Sequence, residues 1–138
     1  MKFSFGELLD LNSKLPNLFE QKLKFATIYK IEFLLKQIKD PLSFLESKRR
    51  EIIKEYAEND ESGKMILDKE SLQPVFKEEN REVCIQKLTE LINTEIDIDI
   101  KTFNIEEFDD IKIQMTEISH VFMDKLVIAQ KKIYGDQD

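Results

Sequence analysis

Residues 20–57 read EQKLKFATIYKIEFLLKQIKDPLSFLESKRREIIKEYA, and this stretch decides the fold. Ile28, Ile31, Leu35, Ile38, Leu42, Leu45, Arg49, Ile52 and Tyr56 succeed one another at alternating steps of three and four residues. That spacing lays them along one side of an α-helix as a heptad seam, interrupted only by the polar Arg49. Phe25, Leu34, Phe44 and Ile53 widen the seam into the broader apolar face of a helix that packs on its own domain as well as on a partner. Asp40-Pro41 is an N-cap and N1 signature, yet the heptad phase passes through it unchanged. The expectation is therefore two nearly collinear helices, or one kinked helix, with a single buried face.

Towards the N-terminus, Ser4 and Glu7 have the spacing of a capping box, and Leu8, Leu11 and Leu15 form an apolar stripe. A short helix over 4–15 follows, ended by Pro16-Asn17. Beyond the long helix, Asn59-Asp60-Glu61-Ser62-Gly63 is a turn cluster. Met65-Ile66-Leu67 and Val75-Phe76 then read as two short strands of a β-hairpin, with Pro74 restricting the second to an edge. Residues 78–93 form a helix. Glu78, Glu79 and Glu82 load its first turns, where acid complements the helix dipole, and Cys84, Leu88 and Leu91 lie on its apolar face with Ile85 and Ile92 alongside. It is placed to return antiparallel to residues 42–56.

Glu95-Ile96-Asp97-Ile98-Asp99-Ile100 alternates with a period of two, the pattern of a half-buried strand. Asp110 to Gln114 repeats it over a shorter run, and residues 104–109 between them read as a turn of helix. The last helix spans 115–134, with Thr116 as its cap and Ile118, Phe122, Leu126, Ala129 and Ile133 as its stripe, before a frayed tail at 135–138. The expected fold is α+β and helix-dominated: a long antiparallel helix pair with a β-hairpin, a small antiparallel sheet and a C-terminal helix, within a single domain over 1–138.

Composition sets bounds on function. The chain has 138 residues, 41% hydrophobic and 36% charged, enough for a real core with long solvated helix faces. Three glycines and three prolines argue against a many-stranded fold, and ten phenylalanines without tryptophan favour purely apolar aromatic packing. A net charge of −7 and a pI near 4.9 disfavour direct binding to nucleic acid or to anionic membranes, which needs clustered Lys and Arg. The single cysteine excludes an intrachain disulfide or a cysteine-rich zinc site. The first residues carry no signal peptide and no apolar run spans a bilayer, so a cytoplasmic setting is expected.

Five features invite a chemical reading. Glu95, Asp97 and Asp99 share one face of their strand and could hold Mg²⁺ or Ca²⁺, or present an acidic stripe to a basic partner. A solvated strand face explains the same alternation more simply. Glu117, His120 and Asp124 fall on one side of the last helix, and Glu-x-x-His is the spacing of helical di-metal sites. Such sites need a second copy of the motif, and the chain has one histidine. Cys84 lies near a helix N-terminus but also on the apolar face, which favours a buried, inert thiol. The turn at 59–63 lacks the ligand spacing of a calcium loop. Lys48, Arg49, Arg50 and Lys54 could meet phosphate, but Glu46, Glu51 and Glu55 are interleaved to pair with them. Arg49, on the seam, is the exception: it is expected to reach an acid across the seam or to point at a ligand or partner. No phosphate loop, nucleophile elbow, zinc spacing or catalytic triad is present, so no enzyme, cofactor or metal is expected.

The order of parts resembles a known group. Leu11-Asn12 lies in a short first helix, Tyr29-Lys30-Ile31 opens a long one, and Arg49-Arg50-Glu51-Ile52-Ile53-Lys54-Glu55-Tyr56 closes it. Asp60 and Gly63-Lys64 precede a strand pair, Glu78-Glu79 opens a helix, and Glu95 to Ile100 follows. This arrangement is similar to small uncharacterised proteins from phages and prophages of low-GC Gram-positive bacteria, over nearly the whole chain apart from its longer last helix. The resemblance implies a phage accessory protein acting in the host cytoplasm and carries no site residues across. The expected function is non-catalytic: stoichiometric binding to a host or defence protein, or to another phage protein. Glu95, Asp97, Asp99 and Arg49 are the expected contacts, and a homodimer is expected to bury the leftover apolar surface. The alternatives are a protein that sequesters a nucleotide signal through Arg49, Arg50 and Arg81, and a metal-dependent enzyme using Glu117, His120 and Asp124.

Overall fold

The structure, a computed structural model, describes residues 1–111 and 118–128. The expectations for Thr116, Glu117, Ala129 and Ile133, for strand residues 112–114 and for the tail at 135–138 lie outside them. The element order is β1 (Lys2–Ser4), α1 (Phe5–Lys14), a 3-10 segment (Leu15–Glu20), α2 (Phe25–Tyr56) and α3 (Glu78–Asn93), followed by β2 (Glu95–Asp97) and β3 (Phe103–Asn104). A 3-10 turn (Ile105–Phe108), a π-helical turn (Phe122–Leu126) and β4 (Val127–Ile128) complete it. The fold is α+β and helix-dominated, with a long helix pair and small sheets.

The chain forms two compact units, Met1–Leu42 with Glu95–Asp138, and Ser43–Thr94. The second is called the arm unit below. α2 is one continuous helix with Pro41 inside it, and the unit boundary follows at Leu42–Ser43. Proline removes one backbone hydrogen bond there, but the shared apolar face on both sides keeps the winding in phase. Of the widening residues, Leu34 is buried and Ile53 half-buried, whereas Phe25 and Phe44 are exposed.

In the first unit, the capping box forms as the spacing predicts. The Glu7 N–H donates to Ser4 Oγ at 3.1 Å, and the Ser4 N–H donates to Glu7 Oε1 at 2.9 Å. Leu8, Leu11 and Leu15 are buried with Phe3, Phe5 and Leu18. The chain entering α1 is itself a strand: β1 pairs antiparallel with β2, Phe3 opposite Ile96. The predicted strand over 95–100 is thus confined to Glu95–Asp97, with its partner at the start of the chain. The last helix is also shorter than expected. Its winding ends at Leu126, and Val127–Ile128 pair in parallel with Phe103–Asn104. Two β-branched residues beside the fully buried Phe103 gain more from a pleated contact than from another turn. Phe103, Phe108 and Phe122 pack edge-on or tilted, with ring centroids 5.0–5.8 Å apart.

In the arm unit, residues 57–77 form bridges rather than regular strands. Asn59 pairs with Met65 and Leu67 with Pro74, while the Glu58 N–H donates to the Val75 carbonyl at 2.8 Å. Gly63, at φ +87°, makes the tight turn between the first pair. No helix among the described residues is long and apolar enough to cross a membrane.

Candidate interaction surface

The acidic stripe lies on the first unit. Glu95, Asp97 and Asp99 are all exposed, while Ile96 and Ile98 are half-buried and Ile100 is buried, as alternation requires. The three carboxylates are not equivalent. Asp97 Oδ1 accepts from the Met1 ammonium at 2.8 Å, and this contact first, then the ammonium charge, holds its carboxyl below the usual range. The Asp99 carbonyl accepts from Gln37 Nε2 at 2.8 Å, which ties the segment that follows the strand to α2.

Arg49 belongs to the arm unit and, among the described residues, does not bridge to an acid on another element. It is exposed and pairs at 3.5 Å with Glu46 on its own helix, as does Arg50 at 3.2 Å. Lys48 pairs with Glu51 at 3.0 Å. The basic cluster is therefore partly paired along its own helix, with Glu46 shared by the two arginines, and Arg49 and the stripe fall in different units.

The feature that sequence reading passed over adjoins Asp99. Phe25, Tyr29 and Phe33 project from α2 at 90%, 68% and 44% exposure, and the Tyr29 and Phe33 rings stack at 6.3 Å. Beside them is a concavity of about 100 Å³, walled by Tyr29, Phe33, Leu34, Gln37, Ile100 and the stem of Lys101. The signal was present in the i, i+4, i+8 spacing of the three aromatics. This places them roughly opposite the buried Ile31, Leu34 and Ile38 on the helical wheel. The preference of phenylalanine for cores outweighed the phase.

Other groups have internal roles. Asp10 accepts from Lys14 at 2.7 Å and from the Ser119 hydroxyl at 2.6 Å. Ser119 is fully buried, its proton is committed to that carboxylate, and no imidazole stands between them, so the pair does not form a charge-relay nucleophile. His120 and Asp124 are exposed, and no three His, Cys, Asp or Glu side chains converge among the described residues. Cys84 is buried, and burial pushes its thiol up from the ordinary range. At the 59–63 turn, Asp60 Oδ1 accepts from the Ser62 hydroxyl at 2.6 Å and from the N–H groups of Ser62 and Lys64 at 2.9 and 3.0 Å, an Asx turn that needs no cation.

No protein-family model, curated protein or solved structure matches this chain.

Proposed function

We propose that the protein is a non-catalytic binding protein that works as a homodimer and engages another protein stoichiometrically. The observation that carries this reading is the ridge of Phe25, Tyr29 and Phe33 beside the apolar concavity. Single exposed apolar residues are ordinary, but three adjacent aromatics with a pocket match the anchors of protein interfaces. At about 100 Å³ the concavity suits one inserted side chain. Sites for small ligands and cofactors run to roughly 300–1,000 Å³. Asp99 and Glu95 on the same unit favour a partner with a basic rim around its apolar anchor, consistent with the net charge of −7. The resemblance to phage proteins makes a host or defence protein, or a phage protein, the expected partner in the host cytoplasm. A nucleotide-sequestering role has weaker support, because Arg49 and Arg50 are both engaged by Glu46.

The test uses tagged wild type and a Tyr29→Ser, Phe33→Ser double variant to capture proteins from host lysate, with and without phage infection. Captured species are then titrated as purified components. The expected result is one partner that binds wild type at fixed stoichiometry, loses affinity for the double variant, and binds Asp99→Lys more weakly. A partner bound equally by the double variant removes the ridge from the reading, and a bait that binds nothing removes the reading itself.

A further inference from the structure

β2 has two edges, and β1 covers one of them. The Ile98 N–H donates to the Met1 carbonyl at 2.9 Å, in the register that sets Lys2 opposite Asp97, Phe3 opposite Ile96 and Ser4 opposite Glu95. Backbone bonds of an antiparallel pair fall on every second residue, so Ile96 and Ile98 direct their N–H and C=O groups at β1. Glu95 and Asp97 direct theirs to the other side. The far edge of β1 keeps the same phase and is occupied: the Ser4 N–H donates to Glu7 Oε1, and the Lys2 carbonyl accepts from Lys125 Nζ at 2.9 Å. On the far edge of β2 the Asp99 carbonyl is met by Gln37, but among the described residues no group bonds the backbone of Glu95 or Asp97. Both residues are exposed, so they form an open strand edge.

We propose that this edge takes an extended segment of the partner protein as a third strand, with basic residues opposite Glu95 and Asp97 and an apolar residue opposite Ile96. The inference rests on the protein partner of the reading above, and not on its aromatic ridge or its homodimer. In strand addition the main chain supplies affinity and alternate side chains supply selectivity. β1 shows what β2 accepts: it sets Lys2 against Asp97 and the fully buried Phe3 against Ile96. Residues directly opposite share a face, so a strand on the far edge meets the same alternation. Asp97 already holds the Met1 ammonium at 2.8 Å, whereas Glu95 and Asp99 have no ion pair among the described residues. A lysine or arginine opposite Glu95 meets the first. One opposite Asp97 reaches Asp99 along the diagonal, a span of about 7–8 Å that long side chains cross. The Gln37 amide stands where a third strand would bond Asp99, so the addition ends after Asp97. A second copy of β2 does not suit this edge, because carboxylate would stand opposite carboxylate on the shared face.

The probe is the capped peptide acetyl-Lys-Val-Lys-Val-Lys-amide, titrated into the full-length protein and followed by amide NMR. The expected result is saturable binding that shifts the Glu95 and Asp97 N–H signals and slows their hydrogen exchange. Two analogues of equal charge, N-methylated at the lysines or at the valines, separate strand pairing from charge attraction, because only one of the two sets faces the edge. One should bind about tenfold more weakly, having lost its main-chain bonds, and the other as the parent peptide does. A parent peptide that does not bind, or analogues that bind alike, overturns the proposal. Glu95→Pro removes one donor from the edge itself, and Thr94, at φ −66° and ψ 129°, already has the extended backbone that precedes proline. The folded variant should bind the peptide more weakly than Glu95→Gln does, and equal binding overturns the proposal. If Glu95→Pro fails to fold, the two analogues decide the matter on wild type. A native partner lost by the ridge double variant but held by Glu95→Pro as tightly as by wild type defeats this inference alone.

Discussion

Lys30 and Glu107 stand 77 positions apart in sequence, and their ammonium and carboxylate meet at 3.0 Å. The same carboxylate accepts from the Thr27 hydroxyl at 3.0 Å and from the Asn104 N–H at 2.8 Å. Lys30 also lies 4.4 Å from the centroid of the Phe103 ring. One acid thus joins the first turns of α2 to the segment that carries the aromatic core. Thr27, with almost no exposed surface, has its hydroxyl satisfied through Glu107. Glu107→Ala leaves that hydroxyl unpaired in a buried setting and should destabilise the protein by about 2 kcal/mol. Urea denaturation with an unchanged m-value checks it, and a loss within error of zero would mean that water replaces the carboxylate.

Two further carboxylates in the first unit are held in the same way. Glu7 accepts from Lys125 at 2.8 Å as well as from the Ser4 N–H, and Asp10 accepts from Lys14 and Ser119. In Glu7, Asp10 and Glu107 partial burial alone would raise the carboxyl. Hydrogen bonds from the paired lysines, and then from hydroxyl or backbone donors, outweigh it and hold all three below their ordinary values of 4.5, 3.8 and 4.5.

The sign of the pH dependence follows. A carboxyl that is more acidic in the folded chain binds fewer protons there than in the unfolded chain, so its contribution is complete above the unfolded value. That contribution disappears as pH falls through the folded values. Melting temperature should therefore be flat from pH 7 to about 5 and decline below about 4.5. Glu107→Gln should reduce the steepness of that decline. An acid limb that is the same in wild type and in Glu107→Gln would show that this carboxyl is not among its sources.

The elements legible in the sequence are those whose own period or cap determines them. The capping box, the phase of α2, the first turn of α3 and the 3-10 turn at Ile105–Phe108 each depend on residues within one or two turns of one another. What escaped reading depends on distant pairing. β1 is only Lys2–Ser4, and nothing local reveals that Phe3 lies opposite Ile96. The alternation Lys2-Phe3-Ser4-Phe5 was its one trace. Val127–Ile128 fall inside the helix expected over 115–134 and leave its winding where β3 supplies a ladder. Arg49 illustrates the converse: its seam position predicts an acid across the seam, a ligand or a partner, but the exposed guanidinium pairs with Glu46 on its own helix.

Ser4 serves two elements at once, as the last residue of β1 and the N-cap of α1. Ser4→Ala removes the acceptor for the Glu7 N–H and should destabilise the protein by about 1 kcal/mol, the usual value of a serine cap. It also removes one of the contacts that lower Glu7, so the titration midpoint of Glu7, followed by carboxyl-carbon NMR, should rise. A lower stability with an unmoved midpoint would assign the loss to the strand pairing with Glu95 rather than to the cap.

Pro41 presents the opposite case, a residue kept at a site where helix energetics disfavour it. It lies within α2, one residue before the compact unit ends at Leu42. Without an N–H it leaves the Gln37 carbonyl short of its helical partner, while the Gln37 side chain is committed to the Asp99 carbonyl. Pro41→Ala restores the missing bond and removes the steric conflict with the preceding turn. It should raise stability by about 1–3 kcal/mol, the interior penalty of proline less whatever packing its half-buried ring contributes. Amide hydrogen exchange locates the gain. Protection should increase across residues 38–46 in the variant while α1 and α3 exchange as in wild type. If Pro41→Ala is instead less stable, the packing of the ring outweighs the restored hydrogen bond, and the proline holds α2 together at the unit boundary rather than weakening it there.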